Sequence, residues 1–214
     1  ISAEIIKYAP NALYILVANP VDILTYAFLK YTGLPKNQVI GTGTAIDSAR
    51  LQIYIGQLAK VDPRSVHAYS MGEHGDSQMV PWSTVTVAGK PFFDVIQDNK
   101  QMIGDVDLDD LVYKTTQRGW EILNRKGTTY YGIGTACAGI VKAILNDENR
   151  IVPVSTLLEG EYGEMDVYAG VPTVLNRQGA YDVLEIHMTP GELTRFKEST
   201  KVIREYTQKI MEFL

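Results

Sequence analysis

Three side chains in this sequence have types suited to proton transfer on a small acid: Asp47, Arg50 and His74. His74 lies in the polar run MGEHGDS, residues 71–77, where glycines on both sides of an acid–histidine pair allow a sharp bend and close approach of a ligand. An imidazole passes a proton near neutral pH, and a carboxylate behind it fixes the ring tautomer. The planar fork of Arg50 matches a carboxylate with two parallel hydrogen bonds. Asp47 and Arg50 stand three apart in a helix-like run and so share a face. Together they form a plausible kit for a small hydroxy or keto acid. Each also has a plainer reading. His74 could be an incidental imidazole in a surface turn, Asp47 a carboxylate favouring a helix N-terminus, and Arg50 a solvated helix charge. Spacing alone leaves both readings open.

Composition narrows the field. The chain has 214 residues, enough for one large or two small domains with a real core. Net charge is −5 and no lysine or arginine run occurs, so nothing attracts a nucleic-acid backbone or an anionic membrane. One cysteine, Cys137, excludes an internal disulfide framework and a cysteine-rich metal site. It sits in the small-residue run GTACAGIV, which predicts a buried, inert thiol. His67 and His74 are seven apart with no third ligand spacing, so no metal site is expected. No signal peptide, lipidation motif or long apolar span is present, and a reducing, cytoplasmic setting is expected.

The positioning elements follow from pattern. LYILVA, residues 13–18, is a continuous apolar run, as for a strand covered on both faces. Residues 21–33 read as a helix stopped by Gly33 and Pro35, QVIGTGT as a strand, and the run from Asp47 as another helix. Strand–helix–strand–helix is the signature of parallel sheet packing. SVHAYSM and MVPWSTVTVAG read as strands. An amphipathic helix is expected over 107–125, interrupted at Gly127, then a small-residue helix over 131–145 that packs closely against a neighbour. Three strand-like segments follow, with turns at Gly160/Gly163 and 177–179. A final helix over 190–214 is capped by Thr189, with Glu192 completing a capping box. The runs Gly41-Thr-Gly43 and Gly132-Ile-Gly134 each lack the third glycine of a dinucleotide fingerprint, so neither reads as a phosphate-binding turn. Residue 1 is Ile, and Ile1, Ile5 and Ile6 before Pro10 read as the end of a helix already under way. A preceding segment is therefore expected.

Four stretches carry a resemblance: LVANPVDILTY, GTAIDSARLQ, VHAYSMGEHGDS and NRKGTTYYGIG. In this order they resemble the bacterial L-lactate dehydrogenases and the related malate dehydrogenases, and the likeness runs over essentially the whole chain. The resemblance implies an α/β fold: the end of a Rossmann-type parallel sheet (1–43) followed by a mixed α+β substrate domain (44–214). It implies NAD as cofactor, pyruvate and L-lactate as substrates in glycolysis and fermentation, and a homotetramer. His74 would be the proton donor and acceptor, held by Asp47, and Arg50 would clamp the substrate carboxylate. Asn19 would orient the substrate oxygen near the nicotinamide, Thr129 would line the substrate pocket, and Val17 and Ile133 would face the cofactor. The glycines beside His74 would allow substrate and cofactor to come close.

The sequence also departs from the family. The glycine-rich fingerprint, the acidic residue for the adenosine ribose and the mobile loop with its catalytic arginine are absent, and would precede Ile1. The chain by itself is therefore expected to show little or no activity. Thr129 leans toward lactate, since malate-type relatives usually carry a smaller residue there. Many bacterial relatives are activated by fructose 1,6-bisphosphate through an arginine and a histidine at a subunit interface. Here His67 is kept but Gln52 holds the arginine position, so activation is expected to be weak or absent. The alternatives are a malate or other 2-hydroxy acid dehydrogenase, and a truncated, non-catalytic domain acting only in assembly.

Overall fold

Apolar runs bounded by Gly and Pro become strands here, and amphipathic runs become helices laid on both faces of one sheet. The computed structural model describes residues 2–212, with side-chain surroundings from Glu4 onward. Ile1, and the Phe213–Leu214 end of the expected last helix, lie outside the described residues. The helices are α1 (Ser2–Tyr8), α2 (Val21–Thr32), α3 (Ala45–Ala59), α4 (Phe92–Asp98), α5 (Lys100–Ile103), α6 (Leu108–Lys126), α7 (Tyr131–Leu145) and α8 (Pro190–Met211). The strands are β1 (Tyr14–Leu16), β2 (Val39–Gly41), β3 (Val66–His67), β4 (Thr86–Val87), β5 (Lys90–Pro91), β6 (Arg150–Glu159), β7 (Met165–Asn176) and β8 (Gly179–Val183).

A five-stranded sheet runs in the order β1-β2-β6-β7-β8. Only β1 and β2 are parallel, with Ile15 opposite Ile40; β2 meets β6 antiparallel through Gly41 and Ser155, and β6, β7 and β8 continue antiparallel. The sheet is therefore mixed, and it crosses the division expected at residue 43 without a break. Helix α7 covers one face through Ile140, Ala143 and Ile144, packed with Ile40, Val152 and Val154. Farther along the same strands α2 and α8 bring Ile23, Phe196 and Ile203 against Val167, Ala169 and Val171, and on the opposite face α2 lays Tyr26 and Leu29 against Leu157 and Tyr168. A second core joins α3 and α6 to the small sheet β3-β4-β5 through Leu51, Ile55, Val66, Trp82, Phe92 and Leu111.

Several stops and caps match their residues. Gly33 ends α2 and Gly127 ends α6, both left-handed, and Asp107 caps α6 through the amides of Asp109 and Asp110. Thr189 and Glu192 form the capping box of α8. Other expectations are corrected. LYILVA gives only a three-residue strand, half-buried at Ile15 and Leu16, because β1 is a sheet edge with β2 alone beside it. SVHAYSM and MVPWSTVTVAG give two-residue strands, with a single bridge between Met71 and Met79 and a 3₁₀ turn at Trp82–Thr84. Pro81, which has no amide hydrogen to offer a ladder, precedes that turn. Beyond Val183 the third late strand gives way to irregular chain. Cys137 is half-buried rather than buried, although burial still pushes its thiol above the ordinary range.

The Gly41–Gly43 run has a packing role. A Cβ on Gly43 would lie 2.3 Å from the Ser155 amide nitrogen and 2.7 Å from the Val154 carbonyl carbon, and its φ is +50°. The clash is with backbone, which cannot swing aside. Gly43→Ala is expected to destabilise the chain by roughly 2–4 kcal/mol, read by urea unfolding. An unchanged midpoint would mean that β6 can move away from this turn.

Candidate active site

Helix α3 places Asp47 in its first turn, where the helix dipole favours an anion. Asp47 is not the cap. The N-cap is Thr44, and Asp47 instead sends one oxygen to each of two partners. Its Oδ2 lies 2.6 Å from His74 Nδ1, and its Oδ1 accepts from Arg50 Nη1 at 3.2 Å. The Asp47 side chain is 2% exposed, against 22% for His74 and 15% for Arg50. The carboxylate is thus buried behind an imidazole and a guanidinium that remain reachable. With Nδ1 hydrogen-bonded, Nε2 is left as the nitrogen that exchanges a proton.

The chain reaches this geometry through contacts on several sides. Ser48 on α3 accepts from the Ser70 amide at 2.9 Å, and Thr44 donates to the Ser70 carbonyl at 2.6 Å. Both fasten the segment leading to His74 onto α3. Gln78 donates to the Gly75 carbonyl and to Thr116 on α6. Ser199 on α8 accepts from the Glu73 amide at 2.8 Å. The glycine beside this acid serves that last contact. Gly72 has φ +90°, and a Cβ there would lie 2.3 Å from Ser199 Oγ. A Cβ on Gly75 would meet the carboxylate of Glu73. The close approach expected for substrate and cofactor is, at these two positions, an approach of the protein to itself.

One functional candidate escaped the sequence reading. Asp22, in the first turn of α2, is 3% exposed. Its Oδ2 accepts from the His74 amide at 2.8 Å and its Oδ1 accepts from Ser155 Oγ at 2.5 Å. The available signal was an acid between two apolar residues, Val21 and Ile23, at the start of a largely apolar helix. Its partners are 52 and 133 residues away in sequence, where no local pattern reaches.

The electrostatics follow from these contacts. Burial pulls the His74 imidazole down, but the hydrogen bond and charge of Asp47 and the charge of Asp22 outweigh it, so His74 holds its proton above the ordinary value of 6.5. Its contribution to stability is complete below the unfolded value and is lost as pH rises through the folded one. Burial pushes the Asp22 carboxyl up to about 6 from 3.8, against the lowering effect of Ser155 and His74. The fold therefore favours protonated Asp22, and that contribution is lost as pH rises from 3.8 through about 6. At neutral pH the ionised group costs about 3 kcal/mol of stability.

The hydrogen-bonded group contains Asp47, Arg50 and His74 together. Asn19, Thr129 and Val17 are exposed and stand outside it, while Ile133 is half-buried in the first turn of α7. Two contacts bring the surrounding helices toward α3. A Cβ on Gly132 would lie 3.0 Å from Ile46, and one on Gly119 of α6 would lie 3.6 Å from both terminal nitrogens of Arg50. His67 is exposed on β3. Gln52 is half-buried and donates to the Ala68 carbonyl at 3.1 Å. Tyr162 and Tyr168 are buried, whereas Tyr130 and Tyr131 are exposed.

A mixed α/β scaffold holds a carboxylate-backed histidine beside an arginine, chemistry that can exchange a proton and meet a carboxylate. Comparison with known proteins identifies the family. Residues 44–214 match the family model for the lactate/malate dehydrogenase alpha/beta C-terminal domain, and residues 1–41 match that for the NAD binding domain of the same enzymes. The chain belongs to the lactate/malate dehydrogenase family. It is 50% identical over 200 residues to L-lactate dehydrogenase 3 of Bacillus cereus, covering 94% of this chain and 63% of that protein. It is 45% identical over 201 residues to L-lactate dehydrogenase 1 of Bifidobacterium longum, covering 94% and 64%. The chain thus spans just under two thirds of these relatives. The crystal structure of minor L-lactate dehydrogenase from Enterococcus mundtii, in its ligands-bound form, superposes with a TM-score of 0.91 at 39% identity, covering 98% of this chain and 68% of that one. MGS-M5, a lactate dehydrogenase from a deep-sea metagenome library, gives 0.91 at 41% identity, covering 95% and 65%.

Proposed function

We propose that this chain serves an NAD-dependent L-lactate dehydrogenase that interconverts pyruvate and L-lactate, with His74 as proton donor and acceptor. The observation that carries the reading is the 2.6 Å contact of His74 Nδ1 with buried Asp47, whose other oxygen holds Arg50. In the reductive direction, protonated His74 gives its Nε2 proton to the oxygen of the 2-oxo group. Asp47 stabilises the imidazolium before transfer and keeps the ring oriented after it. Arg50 has N–H donors beyond the one turned to Asp47, and these suit the substrate carboxylate. Asn19 orients the reacting oxygen and Thr129 lines the pocket. When bound, the nicotinamide donates or accepts the hydride.

The residues present suit the reactive end of that cofactor. Val17 and Asn19 are exposed just past the carboxyl end of β1, in a parallel pair, where open α/β sheets bind ligands. Val17 offers an apolar surface for a flat ring, with Ile133 on α7 as the second such residue. No glycine fingerprint for the phosphates occurs in these 214 residues. The 214-residue polypeptide alone is therefore expected to turn over little or no substrate. A homotetramer in the cytoplasm completes the reading. The exposed rings of Tyr130 and Tyr131, and of Tyr113 and Trp120 on α6, support assembly.

The test is NADH oxidation with pyruvate and with oxaloacetate, the intact mass being read from the same sample. Turnover with pyruvate in a sample of the relatives' length supports the proposal. A preference for oxaloacetate would make the enzyme a malate dehydrogenase. No turnover with any 2-oxo acid at that length would leave a domain that only assembles. Fructose 1,6-bisphosphate is expected to leave the rate nearly unchanged, because Gln52 carries no charge and its amide is engaged by Ala68. A large activation at micromolar effector would show that other residues hold the phosphates.

A further inference from the structure

His74 is held from two sides, its ring by Asp47 and its backbone by Asp22. The second hold is unusual in chemistry. A backbone amide needs only a neutral acceptor, and Asn or Ser could supply one. The chain instead buries a carboxylate whose second oxygen is met by Ser155 on β6, with no lysine or arginine among its hydrogen-bond partners. Buried carboxylates without a cation are unfavourable and uncommon.

We propose that Asp22 is a positioning residue for the proton-transfer histidine: its carboxylate, clamped between Ser155 and the His74 amide, fixes where the imidazole sits and adds a second negative charge that keeps it protonated. The proposal rests on the role given to His74 above. Asp22 touches neither substrate nor cofactor in this role and acts through His74. The charged groups that face His74 are Asp47 and Arg50 from α3 and Asp22 from α2; those facing Asp22 are His74 and Glu73. Glu73 opposes ionisation of Asp22, while its own carboxylate accepts from Ser77. With Asp22 titrating near 6, the charge it lends His74 fades as pH falls through that value.

A structural spacer and a charged positioner differ in what Asp22→Asn does. Asn keeps an acceptor for the His74 amide and can donate to Ser155 Oγ, so the shape is retained and the charge is removed. The expected results at neutral pH are a urea midpoint no lower than that of the parent chain and a lower titration midpoint of the His74 ring, followed by proton NMR. In the complete enzyme, kcat for pyruvate reduction is expected to fall about ten-fold or more, with KM changed less than about two-fold, and the acid limb of the rate profile near pH 6 is expected to disappear. Ser155→Ala is the second variant. It leaves the carboxylate in place but removes a hydrogen bond that favours its ionised form, so the loss of charge beside His74 should begin at higher pH. An unchanged His74 titration in both variants would overturn the proposal, as would a large loss of stability in Asp22→Asn with the midpoint unmoved. If the midpoint falls but no 2-oxo acid is reduced even by the parent enzyme, the positioning role stands and the dehydrogenase reading fails.

Discussion

Replacing His74 with Asn is expected to lower turnover by about 10²- to 10⁴-fold, effectively silencing the enzyme, while cofactor affinity is largely kept. Asn preserves a polar side chain at the same place and can accept or donate a hydrogen bond, but it has no group that gains or loses a proton near neutral pH. Asp47, 2.6 Å from the ring in the native chain, would lose the partner that its charge stabilises. The defect should therefore lie in kcat and kcat/KM together, because the lost interaction matters most as the proton moves. Single-turnover NADH oxidation by the complete enzyme, with NADH affinity from fluorescence, separates the two effects. Near-normal turnover in the variant would remove His74 from the role.

Arg50→Gln should produce the second largest loss, and in a different constant. The guanidinium is 15% exposed and tied to Asp47 through one N–H, which keeps the fork in place and leaves other donors for a carboxylate. Gln is shorter and neutral, and cannot make two parallel charge-assisted bonds. Truncating one member of such a pair raises the substrate KM by about 10²-fold or more. The same change frees Asp47 Oδ1, so some loss of kcat should accompany it. A titration of initial rate against pyruvate reads both constants. A KM that stays within about two-fold would mean that the substrate carboxylate is held elsewhere.

Local signals in the sequence carried much of the fold. Gly33, Gly127 and the Thr189–Glu192 pair mark helix ends by chemistry confined to a few residues, and all three act as expected. The Asp47–Arg50 pair was legible as a shared helix face, and His74 as a histidine in a glycine-flanked turn. Their meeting was not, since it depends on Ser48 and Thr44 fastening a segment some twenty residues away. Nor was the role of Gly43, whose neighbour Ser155 arrives from β6. Short apolar segments misled most. Residues 79–89 alternate like a strand, yet the run makes only a bridge, a turn and two strand residues. Asp22 was hidden for a related reason: an acid in the first turn of a helix has a sufficient local explanation in the dipole, which conceals a long-range one.

The measurement closest to the centre of this picture is the proton titration of the His74 ring in the parent chain and in Asp47→Asn. It needs neither cofactor nor substrate. If Asp47 holds a proton on His74, the parent midpoint lies above the ordinary histidine value of 6.5 and falls in the variant, where the ring keeps its place without the adjoining charge. A parent midpoint below 6.5, or one indifferent to the loss of the Asp47 charge, would contradict it. In the first case the histidine would be empty of its proton when a 2-oxo acid arrived; in the second the pair would be a structural contact that does not set the proton.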